Sequence, residues 1–236
     1  MKMVKILNLN LWNYNNFKER KPKIIQFIRK HNPDIVVFQE VRDDLQFNKK
    51  GNNQAKQLNE ELQYPHLAFY PVTDKRKERP EKYKHYCIEG TAILSKFSIL
   101  KTEMIELKKH PEDRYTCGNL YVRIKAEKII DLINVHFSNN DLFSKLHLIE
   151  TMEQIRKKKI HPIIAGDFNM WHTDWLENIT GDNYTNSFIY NKYISYPARK
   201  WTLDYIVIPK EYRFKSFKSV GKDLSDHKAL VAEIVV

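Results

Sequence analysis

Nine residues, His161-Pro162-Ile163-Ile164-Ala165-Gly166-Asp167-Phe168-Asn169, set a carboxylate and an amide two positions apart at the end of an apolar run. Ile163, Ile164 and Ala165 read as a short buried strand that Pro162 opens. Gly166 permits a sharp turn of the backbone. Strand side chains alternate between faces, so Asp167 and Asn169 share one side while Phe168 turns into the core. An acid and an amide on a rigid strand end suit the holding of a water and an anionic oxygen. The same residues also fit a strand that ends in an Asx-turn.

The pattern recurs along the chain. Asn10 closes Ile6-Leu7-Asn8-Leu9, and Glu40 closes Ile35 to Phe38. His136 closes Ile129 to Val135, Asp204 lies just inside Thr202 to Ile208, and Ser225-Asp226-His227 precedes the last apolar segment. Taken singly, each has an ordinary structural role: a cap, a solvated end, a satisfied core histidine, a turn. As a set they offer an acid for a hard divalent cation, amides for phosphate, and an imidazole with a carboxylate to orient it. Those are the parts of a Mg²⁺-assisted phosphoryl hydrolase.

The elements that must position these residues are strands. Residues 4 to 11 read as the first. A helix begins at Pro22 and presents Ile24, Ile25 and Ile28 on one side until Asn32-Pro33 stops it. Strands follow at 35 to 38 and 66 to 70, with a helix over 53 to 62 between them. Thr91 to Leu94 and Ile99 to Leu107 are strand-like, and Leu120 to Ile124 pairs with Ile129 to Val135 as a hairpin. Asp141 to Lys158 is an amphipathic helix whose basic end suits a helix C-terminus. A short helix is expected over 171 to 178, and strands at 203 to 208, 214 to 220 and 229 to 236. About ten short strands, several wholly apolar, predict two sheets packed face to face and covered outside by helices.

With 236 residues, 42% of them apolar, the chain suffices for one domain, residues 1 to 236, with a full core. No apolar run is long enough to cross a bilayer. The basic start Met1-Lys2-Met3 leads into a run broken by Asn8 and Asn10, which reads as a strand and not a signal peptide, so a cytoplasmic protein is expected. Cys87 and Cys117 lack metal-binding spacing and read as reduced thiols. Forty Lys and Arg against 29 Asp and Glu give a net charge of +11. That excess favours a polyanionic partner, and it equally fits a lysine-rich composition overall. From Thr73 to His85 the chain carries six Lys or Arg against three Asp or Glu, and reads as a long exposed loop. Lys75, Arg76 and Lys77 in it are candidate substrate contacts, with Tyr83 and Tyr86 as faces for a base.

In its motifs the chain resembles the endonuclease/exonuclease/phosphatase superfamily with the DNase I-like fold. The matching segments are KILNLNLW around Asn10, PDIVVFQEV around Glu40, GTAILSK at 90 to 96, INVHF around His136, IIAGDFN around Asp167, WTLDYI around Asp204 and SDH at 225 to 227. They stand in the family's order and span nearly the whole chain. The resemblance implies a four-layered α/β/β/α sandwich and a Mg²⁺-dependent phosphoesterase, with Mn²⁺ as an alternative ion. It implies that Glu40 is the main metal ligand, with Asn10 beside it and Asp226 near the ion. Asp167 would hold or deprotonate the attacking water and Asn169 would bind phosphate. His227 would stand next to the phosphate, oriented by Asp204, and His136 would be a second phosphate-contacting histidine. Arg114 would match a phosphate-facing position. Nucleic acid is the leading substrate, with a phospholipid (anionic lipids included), sphingomyelin or a small phosphate ester such as an inositol phosphate as the alternative and a non-catalytic polyanion-binding module as a third reading, and a monomer is expected. Two departures narrow the branch. Asn10 is followed by Leu11-Trp12-Asn13-Tyr14 and not by the short Asn-Gly run of abasic-site endonucleases. Phe168-Asn169 also differs from the phosphotyrosyl-DNA phosphodiesterase branch.

Overall fold

In a computed structural model, which describes residues 3 to 236, the chain forms two six-stranded sheets. The first contains β1 (Met3–Asn10), β2 (Ile35–Asp44), β3 (His66–Asp74), β4 (Cys87–Ser95), β11 (Arg213–Val220) and β12 (Ala229–Val235), ordered β11-β12-β1-β2-β4-β3. The second contains β5 (Ser98–Glu106), β6 (Gly118–Lys125), β7 (Ile129–His136), β8 (Ile163–Asp167), β9 (Tyr184–Asn186) and β10 (Asp204–Pro209), ordered β5-β6-β7-β8-β10-β9.

Alternation decides the layers. In β1, Val4 and Ile6 join Leu120, Leu132, Ile163 and Ile206 of the second sheet in the core between the sheets. Leu7 and Leu9 face the other way, onto α1 (Phe17–His31) and α2 (Gln54–Leu62). Helix α1 buries Phe17, Ile24, Ile25 and Ile28, one stripe at helical spacing. On the opposite outer face, α4 (Asp141–Lys158) buries Leu148, Met152 and Ile155 against Ile133, Ile164 and Val207. Burying each such aliphatic side chain contributes roughly 1.5–3 kcal/mol. Asn140 caps α4 by accepting from the backbone N–H groups of Leu142 and Phe143, and Arg156, Lys157 and Lys158 complement its C-terminal end. The order helix, sheet, sheet, helix is the expected four-layered sandwich.

Among the described residues two strand pairs are parallel, β1 with β2 and β7 with β8, each bridged by its helix. Asn10, His136 and Asp167 stand at the C-terminal ends of β1, β7 and β8, and Glu40 stands at an irregularity within β2. Strand β10 runs antiparallel to β8 with Asp204 opposite Asp167, and β12 runs antiparallel to β1 with His227 just before its start. Two parallel pairs and two antiparallel neighbours thus bring six chain-distant residues to one rim, where open α/β sheets usually bind ligands.

Several local expectations need correction. Helix α1 starts at Phe17 and not Pro22, which lies inside it. Buried Phe17 and Arg20 anchor the added turn. Strand β2 does not end at Phe38. It continues to Asp44 across a bulge between Phe38 and Val41. Gly166 makes no turn. It stays within β8, where a Cβ would meet the Val135 carbonyl oxygen at 2.0 Å, so glycine there serves the close approach of β7. The turn falls at Asn169, with φ 50°. The segment from Thr73 to His85 is only partly a loop: β3 runs to Asp74, and α3 (Lys75–Glu78) follows. The helix α5 (Thr173–Thr180) is shifted by two residues from expectation, and β9 with α6 (Ser187–Tyr190) had no expected counterpart. These two are too short for periodicity to show.

Candidate active site

At this rim lies a cleft of about 580 Å³. Its floor is a chain of polar contacts. Asn10, at the end of β1, is fully buried, and its Nδ2–H donates to Asp167 Oδ2 at 3.0 Å and to Glu40 Oε1 at 3.2 Å. One amide therefore ties the ends of β1 and β8 to the bulge in β2. The β2 bulge puts Glu40 at φ 51°, a left-handed conformation that a glutamate adopts at a cost. The carboxylate turns into the cleft, and Asn13 Nδ2–H donates to its second oxygen at 3.0 Å. Asp226 lines the same cleft. Burial, together with the Glu40 charge, raises the Asp226 carboxyl above its usual range.

On the other side of Asn10 the acids meet an imidazole. His227 Nδ1 lies 2.7 Å from Asp204 Oδ2, and its Nε2 lies 3.9 Å from Asp167 Oδ2. His136 Nε2 also stands 3.9 Å from Asp167 Oδ2. Burial alone would pull the His227 pKa down, but the carboxylates of Asp204 and Asp167 outweigh it and lift it well above the histidine range. Burial pushes Asp167 upward, and the nearby Asp204 charge adds to that. Asn169 donates from Nδ2 to the Phe137 carbonyl at 3.0 Å, while its own backbone N–H reaches Asp167 Oδ1 at 2.9 Å. Its amide is thus fixed at the cleft wall.

The ligand chemistry divides in two. Asp167, Asp204 and His227 approach within 4.8 Å of one another, but Asp204 and His227 already bond to each other. Glu40 and Asp226 share the cleft, and the Glu40 charge adds to the cost of charging Asp226 even with His227 and Arg20 nearby. A hard divalent cation would relieve that repulsion, and oxygen donors are what it prefers. The donor set therefore fits such an ion.

The basic candidates scatter. Arg114 is exposed and does not line the cleft. Lys75 is a correction to the exposed-loop reading: it is buried, with Nζ 2.7 Å from Glu78 and 2.8 Å from Glu89, and Arg42 closes on Glu89 at 2.6 Å. An ammonium held by two carboxylates settles inward in spite of its neighbours' polarity. It still reaches the cleft wall. Arg76 and Lys77 are exposed, outside the cleft, and Arg76 pairs with Asp74.

Other positioning residues had weaker signals. Arg20 donates to the carbonyls of Leu11, Asn13, Asn15 and Leu224, so it clamps the loops after Asn10 and before Asp226. By sequence it lies before the expected helix start at Pro22, where nothing marks it for this role. Ser195 Oγ accepts from the backbone N–H groups of Leu203 and Asp204, and the Tyr196 ring lies 4.9 Å from the His227 ring. Asp113 accepts from Ser138 Oγ and Tyr115 N–H, which holds Tyr115 at the cleft. Beside it His147 is buried, pulled down to about 4, and accepts from Ser138 N–H. On the opposite wall Trp171 and Trp201 stack at 4.7 Å, with Arg199 over Trp201 at 5.0 Å.

A family model described as the endonuclease/exonuclease/phosphatase family matches residues 8–227. The chain belongs to this family. Endonuclease/exonuclease/phosphatase members hydrolyse phosphoester bonds. No curated protein matches the sequence. Among solved structures, a family protein from Leptotrichia buccalis shares 19% identity and a TM-score of 0.78, with 99% of this chain and 100% of that chain covered. One from Bacteroides vulgatus shares 19% identity and a TM-score of 0.77, with both chains fully covered. TDP2 from D. rerio, solved with a single-strand DNA product, shares 15% identity and a TM-score of 0.74, also over both full chains. At such identities the likeness is one of fold. Among the described residues no helix is long and apolar enough to cross a membrane.

Proposed function

We propose that this chain is a Mg²⁺-dependent phosphodiesterase acting on nucleic acid. The observation that carries the reading is the convergence of Glu40, Asp226, Asp167 and His227 on one cleft, with Asn10 and Asp204 bonded to them from beneath, all supplied by four strands and the turn before β12. Glu40 and Asp226, with Asn10 beside them, would hold the ion. When bound, it supplies a Lewis acid that neutralises charge on the phosphoryl oxygens.

The protein's own groups divide the remaining work. Asp204 fixes His227 with Nδ1 toward the carboxylate, which leaves Nε2 facing the cleft and Asp167. An imidazolium there stabilises negative charge developing on a non-bridging oxygen, commonly the largest catalytic contribution. Asp167, buried and raised, is placed to orient a water and accept its proton. Asn10 fixes Asp167, and Asn169 presents an amide for a phosphate oxygen. His136 adds a second donor at the same rim. Residues 1 to 236 act as a single catalytic domain in this reading.

Two aromatic and basic walls support nucleic acid as the substrate. Tyr83, Tyr115 and Arg79 line one side of the cleft, and Trp171, Trp201 and Arg199 the other. Flat faces beside cations suit unpaired bases and their phosphates. TDP2, with its single-strand DNA product, is a fold relative in keeping with this reading. Hydrolysis of a labelled oligonucleotide, sphingomyelin and an inositol phosphate side by side tests it: cleavage of the oligonucleotide alone supports it, and preference for either other substrate overturns it.

A further inference from the structure

Three fully buried amides lie under the site in the core between the sheets: Asn8 on β1, Gln39 on β2 and Asn134 on β7. None lines the cleft. Buried amides are expensive unless satisfied, and each of these has a defined set of partners.

Their orientations follow from one fixed end. Asn134 Nδ2 lies 2.9 Å from the Phe38 carbonyl and 3.0 Å from the Ala92 carbonyl. Backbone carbonyls only accept, so the amide nitrogen must face them. These two carbonyls belong to paired residues at the edge of the β2 bulge that turns Glu40 into the cleft. Asn134, from the other sheet, therefore caps the bulge. Its Oδ1 then points at Gln39 and accepts from Nε2 at 2.8 Å. The same Nε2 donates its second hydrogen to Asn8 Oδ1 at 2.8 Å. With its oxygen committed, Asn8 can show only Nδ2–H to the next group, which is Asp204 Oδ1 at 3.5 Å. The other Asp204 oxygen bonds His227. Gln39 Oε1 is left buried with no partner.

We propose that Asn134, Gln39 and Asn8 form a donor chain, running outward from Gln39 Nε2 in both directions, that links the Glu40 bulge to Asp204 and so holds the Asp204–His227 pair in register with the metal side of the site. These are positioning residues, and their role in turnover rests on the phosphodiesterase reading. The chain makes one Asp204 oxygen face a donor and keeps the other directed at His227. It also makes the two halves of the cleft interdependent, although they come from different sheets.

The test uses Asn8→Leu and Gln39→Leu singly and together in the full chain, with bis-p-nitrophenyl phosphate and Mg²⁺. We expect kcat to fall about 10- to 100-fold in each single variant, the usual effect of losing an outer partner of a catalytic group. KM should change less than about twofold, and the double variant should be no worse than the poorer single one, since both break one chain. Proton NMR supplies a readout that needs no turnover: the far-downfield imidazole N–H of His227 should shift upfield in Asn8→Leu. Unchanged kcat and an unchanged His227 signal in folded variants would overturn the proposal. Should the variants fail to fold, the wild-type spectrum decides instead. Three slowly exchanging side-chain amides, with a cross-peak from Gln39 to both Asn8 and Asn134, support the chain, and rapidly exchanging amides refute it. If no phosphodiester is hydrolysed but the His227 signal moves as expected, the function proposed above fails and the chain stands.

Discussion

His227 Nδ1 and Asp204 Oδ2 are 2.7 Å apart, and both side chains are shut away from solvent. The pair fixes which ring nitrogen faces the cleft. Asp204→Asn keeps the shape but removes the charge, and its amide can present a donor where the ring needs an acceptor. Turnover of bis-p-nitrophenyl phosphate should fall at least about a hundredfold, with KM little changed. Steady-state kinetics check this, and a near wild-type kcat would make the pair merely structural.

The repulsion between Glu40 and Asp226 predicts stabilisation by metal. An ion that binds only the folded chain raises stability by RT ln(1 + [L]/Kd), about 2.7 kcal/mol at a hundredfold excess over Kd. Thermal unfolding across a Mg²⁺ titration should show a rising midpoint in the wild type and little rise in Glu40→Gln. Equal rises in both proteins would remove Glu40 from the metal site.

Glu89 makes a pH prediction. Burial alone would raise its pKa, but Lys75 and Arg42 outweigh that and hold it down at about 2. A carboxylate with a depressed folded pKa contributes stability above its unfolded value of about 4.3 and loses it as pH falls toward 2. Urea unfolding should therefore weaken between about pH 4.3 and 2, by on the order of a few kcal/mol from this group. Glu89→Gln should be less stable at neutral pH by roughly 3 kcal/mol, because it leaves the half-buried Arg42 without its carboxylate and the buried Lys75 with Glu78 alone. It should also show a flatter acid limb, and parallel limbs would argue against this ion network.

Much of the site was legible because its residues stand at the ends of apolar strands, and strand ends are where alternation and turn chemistry leave a mark. Asp141 to Lys158 was legible on other grounds, through helical spacing and a basic end. Lys75 was not: six cations in a short segment look solvated, and only the fold brings Glu89 and Arg42 against it. Nor was the bulge at Glu40, since Phe38-Gln39-Glu40-Val41 carries no glycine to announce a left-handed residue. Asn8, Gln39 and Asn134 sit in three separate strands, and no local pattern joins them.

The walls of the cleft give a prediction for nucleic acid. Arg79 and Arg199 line it, whereas Arg76 and Lys77 do not. Each cation that contacts a phosphate adds roughly 0.7 to the slope of log affinity against log salt for a single strand. Arg79→Ala and Arg199→Ala should each flatten that slope by about this amount in an oligonucleotide-binding titration. Arg76→Ala and Lys77→Ala should leave it unchanged, and the reverse pattern would move the binding surface outside the cleft.

The account stands most directly on one measurement: hydrolysis of bis-p-nitrophenyl phosphate and of a labelled single-stranded oligonucleotide, with Mg²⁺ and with chelator, by the wild type, Glu40→Gln and His227→Ala. Both substrates should be cleaved by the wild type with Mg²⁺ and neither with chelator, and each variant should be slower by at least about a hundredfold while remaining folded. Cleavage that persists undiminished in both variants, or no cleavage of either substrate by the wild type with Mg²⁺ or Mn²⁺, would contradict it.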